Sequence, residues 1–114
     1  MFTQRDLKIL LQELVDDLMK NNISPRKVIL FGSYAKGNVH TYSDVDLAVW
    51  SDKFSGDPIA DFECIHPVIK KYRSVNVKLY PTEATADSYD PFIGIIEKTG
   101  IPVYEEKQQT TNTQ

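Results

Sequence analysis

Cysteine is nearly absent from this 114-residue chain: Cys64 stands alone. One thiol excludes an internal disulfide and a thiolate-rich zinc site, and suits a reducing compartment. Histidine is almost as scarce, and His40 and His66 form no metal-ligand set. A basic excess is also missing, since 13 Lys and Arg face 16 Asp and Glu for a net charge of -3. Direct nucleic-acid binding is therefore not expected, because its affinity would rest on a basic surface. Any nucleotide must be gripped by a local site. No apolar run approaches the roughly 18 residues of a membrane span, and "MFTQRDLK" lacks the basic-then-apolar layout of a signal peptide. No membrane association and a cytoplasmic location are the expectation.

What is present suits a folded domain. Hydrophobic residues make up 41% and charged residues 25%, which separates the chain from disordered compositions. The length fits one domain, read as residues 1–105, with 106–114 ("EKQQTTNTQ") as a disordered polar tail. Leu7, Leu10, Leu11, Leu14, Val15 and Leu18 recur at helical spacing, with Thr3 as N-cap. "KVILFG" reads as a strand buried on both faces, closed by glycine. "SDVDLAVW" alternates, with Val45, Leu47 and Val49 on one face and Asp44, Asp46, Ala48 and Trp50 on the other. "SVNVKLYP" alternates likewise, with Asn76 and Lys78 on its polar face. Asp57-Pro58 and Asp90-Pro91 are helix starts, Pro67 must kink, break or restart the first of these helices, and Gly100 takes a C-cap position before "IPVY". A short helix is expected at Ser33. The order α-β-turn-β-α-β-α-β predicts an α+β fold, a small mixed sheet with helices packed on one face.

Residues 29–50, "ILFGSYAKGNVHTYSDVDLAVW", concentrate the chemistry. Carboxylates at i and i+2 of a strand share a face roughly 6 to 7 Å apart, a spacing suited to hard divalent cations such as Mg²⁺. Such cations serve in-line phosphoryl or nucleotidyl displacement. Gly32 lets a ligand approach the main chain, and a helix starting at Ser33 aims free N–H groups and a hydroxyl at an anion. Read singly, the acids could be a polar strand face and Gly-Ser an ordinary turn. Gly32 and Gly37 have the gap of a P-loop, but Asn38-Val39 follow where Lys and then Ser or Thr are required. Asp44 and Asp46 begin like a calcium loop, yet Ala48 and Trp50 are not ligands. Both patterns are rejected.

"GSYAKG" with "SDVDL" resembles the signature of the DNA polymerase β-like nucleotidyltransferase superfamily, in its small form, the minimal nucleotidyltransferases (MNT). The matching residues are Gly32, Ser33, Ala35, Lys36, Gly37, Ser43, Asp44, Asp46 and Leu47. The resemblance implies that Gly32 and Ser33 contact the β and γ phosphates of ATP or another NTP, and that Asp44 and Asp46 ligate Mg²⁺. It implies transfer of a nucleoside monophosphate to a hydroxyl of a protein or small-molecule acceptor, with release of pyrophosphate. It also implies a small helical HEPN-domain partner, as toxin to this antitoxin. Lys36 replaces the family's frequent arginine, keeping the charge without the bidentate fork, so it meets phosphate as a point charge or stays solvated. Ser43 braces the turn before Asp44. Tyr34, His40 and Tyr42 lie near enough to stack on a base or line the mouth of the site.

One departure stands out. Active members of the superfamily carry a third carboxylate on a later strand, and here that strand offers Asn76 and Lys78 instead. Either a loop acid such as Glu83 or Asp87 bends in (Asp61 and Glu63 sit on a helix), or one metal suffices, or Lys78 contacts phosphate in a domain that binds nucleotide without turning it over. The functional alternative to the enzyme is accordingly a catalytically weakened module that neutralises or regulates its partner by binding.

Overall fold

The computed structural model describes residues 2–40 and 43–106. The Thr3 hydroxyl accepts the Asp6 amide at 3.1 Å and starts α1 (Gln4–Lys20), whose buried stripe is Leu11, Leu14, Val15 and Leu18. Strand β1 (Pro25–Phe31) runs into the four-residue helix α2 (Ser33–Lys36), and β2 (Val45–Ser51) follows. Helix α3 (Pro58–Ile69) leads to β3 (Val75–Pro81), and α4 (Phe92–Thr99) to β4 (Ile101–Glu105). Both Asp-Pro starts work alike. The Ile59 amide donates to Asp57 Oδ1 at 3.1 Å and the Phe92 amide to Asp90 Oδ1 at 3.0 Å. Helix α3 runs through Pro67 and ends two residues later. So close to the end, the missing N–H removes a single bond.

The sheet order is β3-β2-β1-β4. β1 pairs antiparallel with both β2 and β4, while β2 and β3 are parallel and joined across one face by α3. Helices α1 and α3 cover that face, burying Leu14, Leu18, Ile65 and Val68 against Val28, Leu30, Val45, Leu47 and Val49. The alternate residues Ile29, Ala48, Trp50 and Tyr80 look the other way and meet Ile93 and Ile96 of α4. The Trp50 indole N–H donates to the Ala84 carbonyl at 3.2 Å, which satisfies its polar atom inside this second cluster. α4 thus covers the end of the opposite face that carries Ala48 and Trp50, which corrects the expectation of helices on one face only. The start of β2, where Asp44 is exposed and Asp46 half-buried, stays open.

The Tyr80 hydroxyl donates to Asp90 Oδ2 at 2.9 Å and ties β3 to the start of α4. The Phe92 amide, and then this hydroxyl, hold the Asp90 carboxyl below the usual carboxylate range, while burial pushes the Tyr80 hydroxyl up. Glu106 still donates its amide to the Arg26 carbonyl at 2.9 Å, and the rest of the expected polar tail lies outside the described residues. Among the described residues no helix is long and apolar enough to cross a membrane.

Gly100 stands at the end of α4 as expected, yet with φ -84° and ψ 171° it is extended and not left-handed. Space is what it supplies. A Cβ there would lie 2.4 Å from Ile29 Cγ2, 2.5 Å from the Ile96 carbonyl oxygen and 2.9 Å from that of Leu30. Gly100→Ala must therefore push β4 off β1, and denaturant unfolding should show a loss of about 1 to 3 kcal/mol.

Candidate functional site

Phe31 and Asp46 are Cα partners in the β1–β2 ladder, so the turn that leaves β1 begins directly beside Asp46. Gly32 makes that turn with φ 74° and ψ -151°, a conformation that side-chain-bearing residues rarely adopt. A Cβ at this position would sit 2.3 Å from Asp46 Oδ2, so the carboxylate rests against the bare glycine Cα. The two halves of the sequence motif meet at this contact. Helix α2 then starts with the amides of Ser33 and Tyr34, which a helix beginning leaves without intrahelical partners. Gly37, left-handed at φ 79°, ends it. Ser43 accepts the His40 amide on Oγ at 2.9 Å and returns its own amide to the His40 carbonyl, closing the turn that delivers Asp44.

The third strand completes the site. Asp46 and Asn76 are Cα partners in the parallel β2–β3 ladder, and the Asn76 amide NH₂ lies 3.2 Å from Asp44 Oδ2 and 3.4 Å from Asp46 Oδ1. Both carboxylates therefore converge on one point, where an amide donor now stands. Two converging carboxylates are the donor set of one hard divalent cation, so Mg²⁺ fits them by chemistry. Among the described residues no group of three or more His, Cys, Asp or Glu side chains is placed to hold a metal ion. Glu83 and Asp87 are exposed and follow the far end of β3, five residues past Asn76, or about 16 Å of strand. Glu63 is exposed on α3, on the opposite face of the sheet, and Asp61 is committed elsewhere. It accepts the Ser55 amide and hydroxyl and the Gly56 amide at 2.8 to 3.1 Å.

Lys78 faces the same way as Asn76, one step further along β3, and its ammonium lies 5.2 Å from the Phe92 ring centroid. Phe92 in turn meets Phe31 edge-on, with centroids 5.8 Å apart. Phe31 and Phe92 form an apolar wall beside the acids, with the Lys78 ammonium over the Phe92 ring. Sequence reasoning missed it, although the strand alternation that puts Phe31 on the face of Asp46 was a usable signal. Lys36 ends α2 exposed to solvent. Tyr34 corrects the expectation of a base-stacking ring. Its hydroxyl accepts the Phe2 amide at 3.0 Å and its ring packs on Phe2, turned towards α1. His40 is exposed, and Tyr42 lies outside the described residues.

A family model described as "Polymerase beta, Nucleotidyltransferase" matches residues 13–109. No curated protein matches the chain. Among solved structures, a toxin–antitoxin complex with AMP-PNP is similar at 24% identity and a TM-score of 0.61, covering 86% of this chain and 75% of that one. A tri-AMPylated Shewanella oneidensis HEPN toxin in complex with an MNT antitoxin is similar at 21% identity and a TM-score of 0.57, covering 89% and 75%. Another structure from Shewanella oneidensis has 18% identity, 93% and 76% coverage and a TM-score of 0.55. At these identities the likeness establishes the fold.

Proposed function

The chain belongs to the polymerase β-type nucleotidyltransferase family, and from that premise we propose that it transfers AMP from ATP to a hydroxyl of a HEPN-type partner protein. The contact of Gly32 with Asp46, with Asn76 alongside, carries this reading. It puts a bare stretch of main chain and two carboxylates around one space. The triphosphate tail approaches over Gly32, and its β and γ phosphates take hydrogen bonds from the start of α2 and the Ser33 hydroxyl. Lys36 adds a point charge at the other end of that short helix. Asp44 and Asp46 hold the divalent cation, Mg²⁺ by their oxygen chemistry, which offsets phosphate charge when bound. Orientation is the chain's main contribution.

In the reaction the acceptor hydroxyl oxygen attacks the α phosphorus. A new O–P bond forms, and the bond from that phosphorus to the bridging oxygen of the β phosphate breaks. Pyrophosphate leaves with the electron pair, and the hydroxyl proton passes to water. The AMPylated HEPN toxin of one structural relative supports both the nucleotide and a protein acceptor, and the AMP-PNP complex of another supports an NTP.

Asn76 in place of an acid favours the second reading, a module that neutralises its partner by binding and turns nucleotide over weakly. Incubation with α-labelled ATP and Mg²⁺, with and without the product of the adjacent reading frame, separates the two. Label on the partner supports the transferase; a stable complex with no label on either chain supports the module.

A further inference from the structure

Resting on the nucleotide reading above, we infer that Asn76 restricts this site to a single divalent cation, where an acid at the same position would admit two. Asp44 and Asp46 are the only acids that converge there among the described residues, and together they bring two negative charges. One dication takes both acids as ligands together with phosphate oxygens of the nucleotide, whose charge adds to theirs. A second, at the about 3.5 to 4 Å separation of two-metal sites, would need an anionic ligand of its own from β3. The side chain in register with Asp46 is instead a neutral amide, and it presents its NH₂ to both carboxylates. That group carries the same sign of partial charge as the cation it would have to help bind. Turning its oxygen inward would give one uncharged ligand, which supplements a first cation but does not offset a second.

Lys78 reinforces the restriction. Its charge lies on the same face of the same strand, held against Phe92. No acid takes its place, because the next residue on that face, Tyr80, is buried under α4 and bonded to Asp90. Asn76 is thus a positioning residue. It orients the two acids through its amide and fixes how much positive charge the site accepts. The nucleotide binds through its phosphates and one cation, while transfer stays slow for want of the second.

The test counts Mn²⁺ bound per chain by the loss of its free electron paramagnetic resonance signal. It uses a saturating ATP analogue with a methylene α,β bridge, referenced to the Asp44→Asn plus Asp46→Asn variant. Wild type is expected to hold one Mn²⁺ in the complex, Asn76→Ala also one, and Asn76→Asp two. With α-labelled ATP, Asn76→Asp is expected to transfer label at least about a hundredfold faster than wild type, the lower end of what a positioned acid or base contributes. Asn76→Glu repeats the added charge in case the aspartate fits poorly; position 76 is exposed, so both variants should fold, melting below wild type without cation because a third carboxylate faces Asp44 and Asp46, and regaining stability with Mn²⁺. Two Mn²⁺ in wild type, or one in both acidic variants while the analogue stays bound, overturns the inference and leaves the nucleotide reading intact. Failure of wild type to bind the analogue at all overturns both.

Discussion

Asp44→Asn combined with Asp46→Asn is expected to lower label transfer by about 10³-fold or more, to the background of the assay. The two carboxylates are the only acids that converge beside Gly32 among the described residues, so no neighbour can take over their ligands. Their amide replacements keep the shape and lose the charge, and the loss falls on electrostatic stabilisation of the displacement. Folding should not suffer. Asp44 is exposed, Asp46 half-buried, and their like charges face one another across a single amide donor. The double variant should therefore melt at or slightly above the wild-type temperature. A melting curve beside the transfer assay checks this, and transfer that survives in a folded double variant would contradict the assignment.

Gly32→Ala is expected to cost about 1 to 3 kcal/mol of stability and to lower nucleotide affinity by more than tenfold. Two separate demands meet at this residue. Its φ of 74° and ψ of -151° strain any side-chain-bearing residue. Its added methyl would also fall 2.3 Å from Asp46 Oδ2, so the carboxylate proposed to hold the cation must swing away. Gly37→Ala separates the two effects. That position is left-handed as well, at φ 79°, but a Cβ there meets nothing within 4 Å. It should lose about 1 kcal/mol from backbone strain alone and keep nucleotide affinity within a few-fold. Denaturant unfolding and calorimetry on both variants check the contrast. Equal loss of binding in the two would show that the close contact with Asp46 has no special role.

Much of the frame was legible before any coordinates. Period-2 alternation put Asp44 and Asp46 on the face opposite Val45, Leu47 and Val49, and the clusters bear that out. The same alternation on the third strand puts Asn76 and Lys78 together on the site-facing side without choosing between them, and only the parallel register sets Asn76 opposite Asp46. The second layer was harder to see. "SDVDLAVW" has a face holding Asp, Asp, Ala and Trp, which does not reveal that its last two members are buried while its first two stay open. That split depends on where α4 docks, through Ile93 and Ile96, more than forty residues later in the chain. Tyr34 was unreadable for a different reason. A four-residue helix is too short to show a period, so nothing in the sequence says which way its ring turns. Gly100 looked like a left-handed cap because its position is that of one, and only the neighbouring strand shows that the missing side chain serves close packing.

The proposed function requires main-chain amides after Gly32 and the carboxylates of Asp44 and Asp46 to grip one nucleotide together. Titration calorimetry with a non-hydrolysable ATP analogue, run with Mg²⁺ and again with the cation chelated, tests that directly. Binding should be saturable with Mg²⁺, at least tenfold weaker without it, and indifferent to Mg²⁺ in the Asp44→Asn plus Asp46→Asn variant. Equal affinity with and without the cation in wild type, or an undiminished Mg²⁺ effect in that variant, would contradict it.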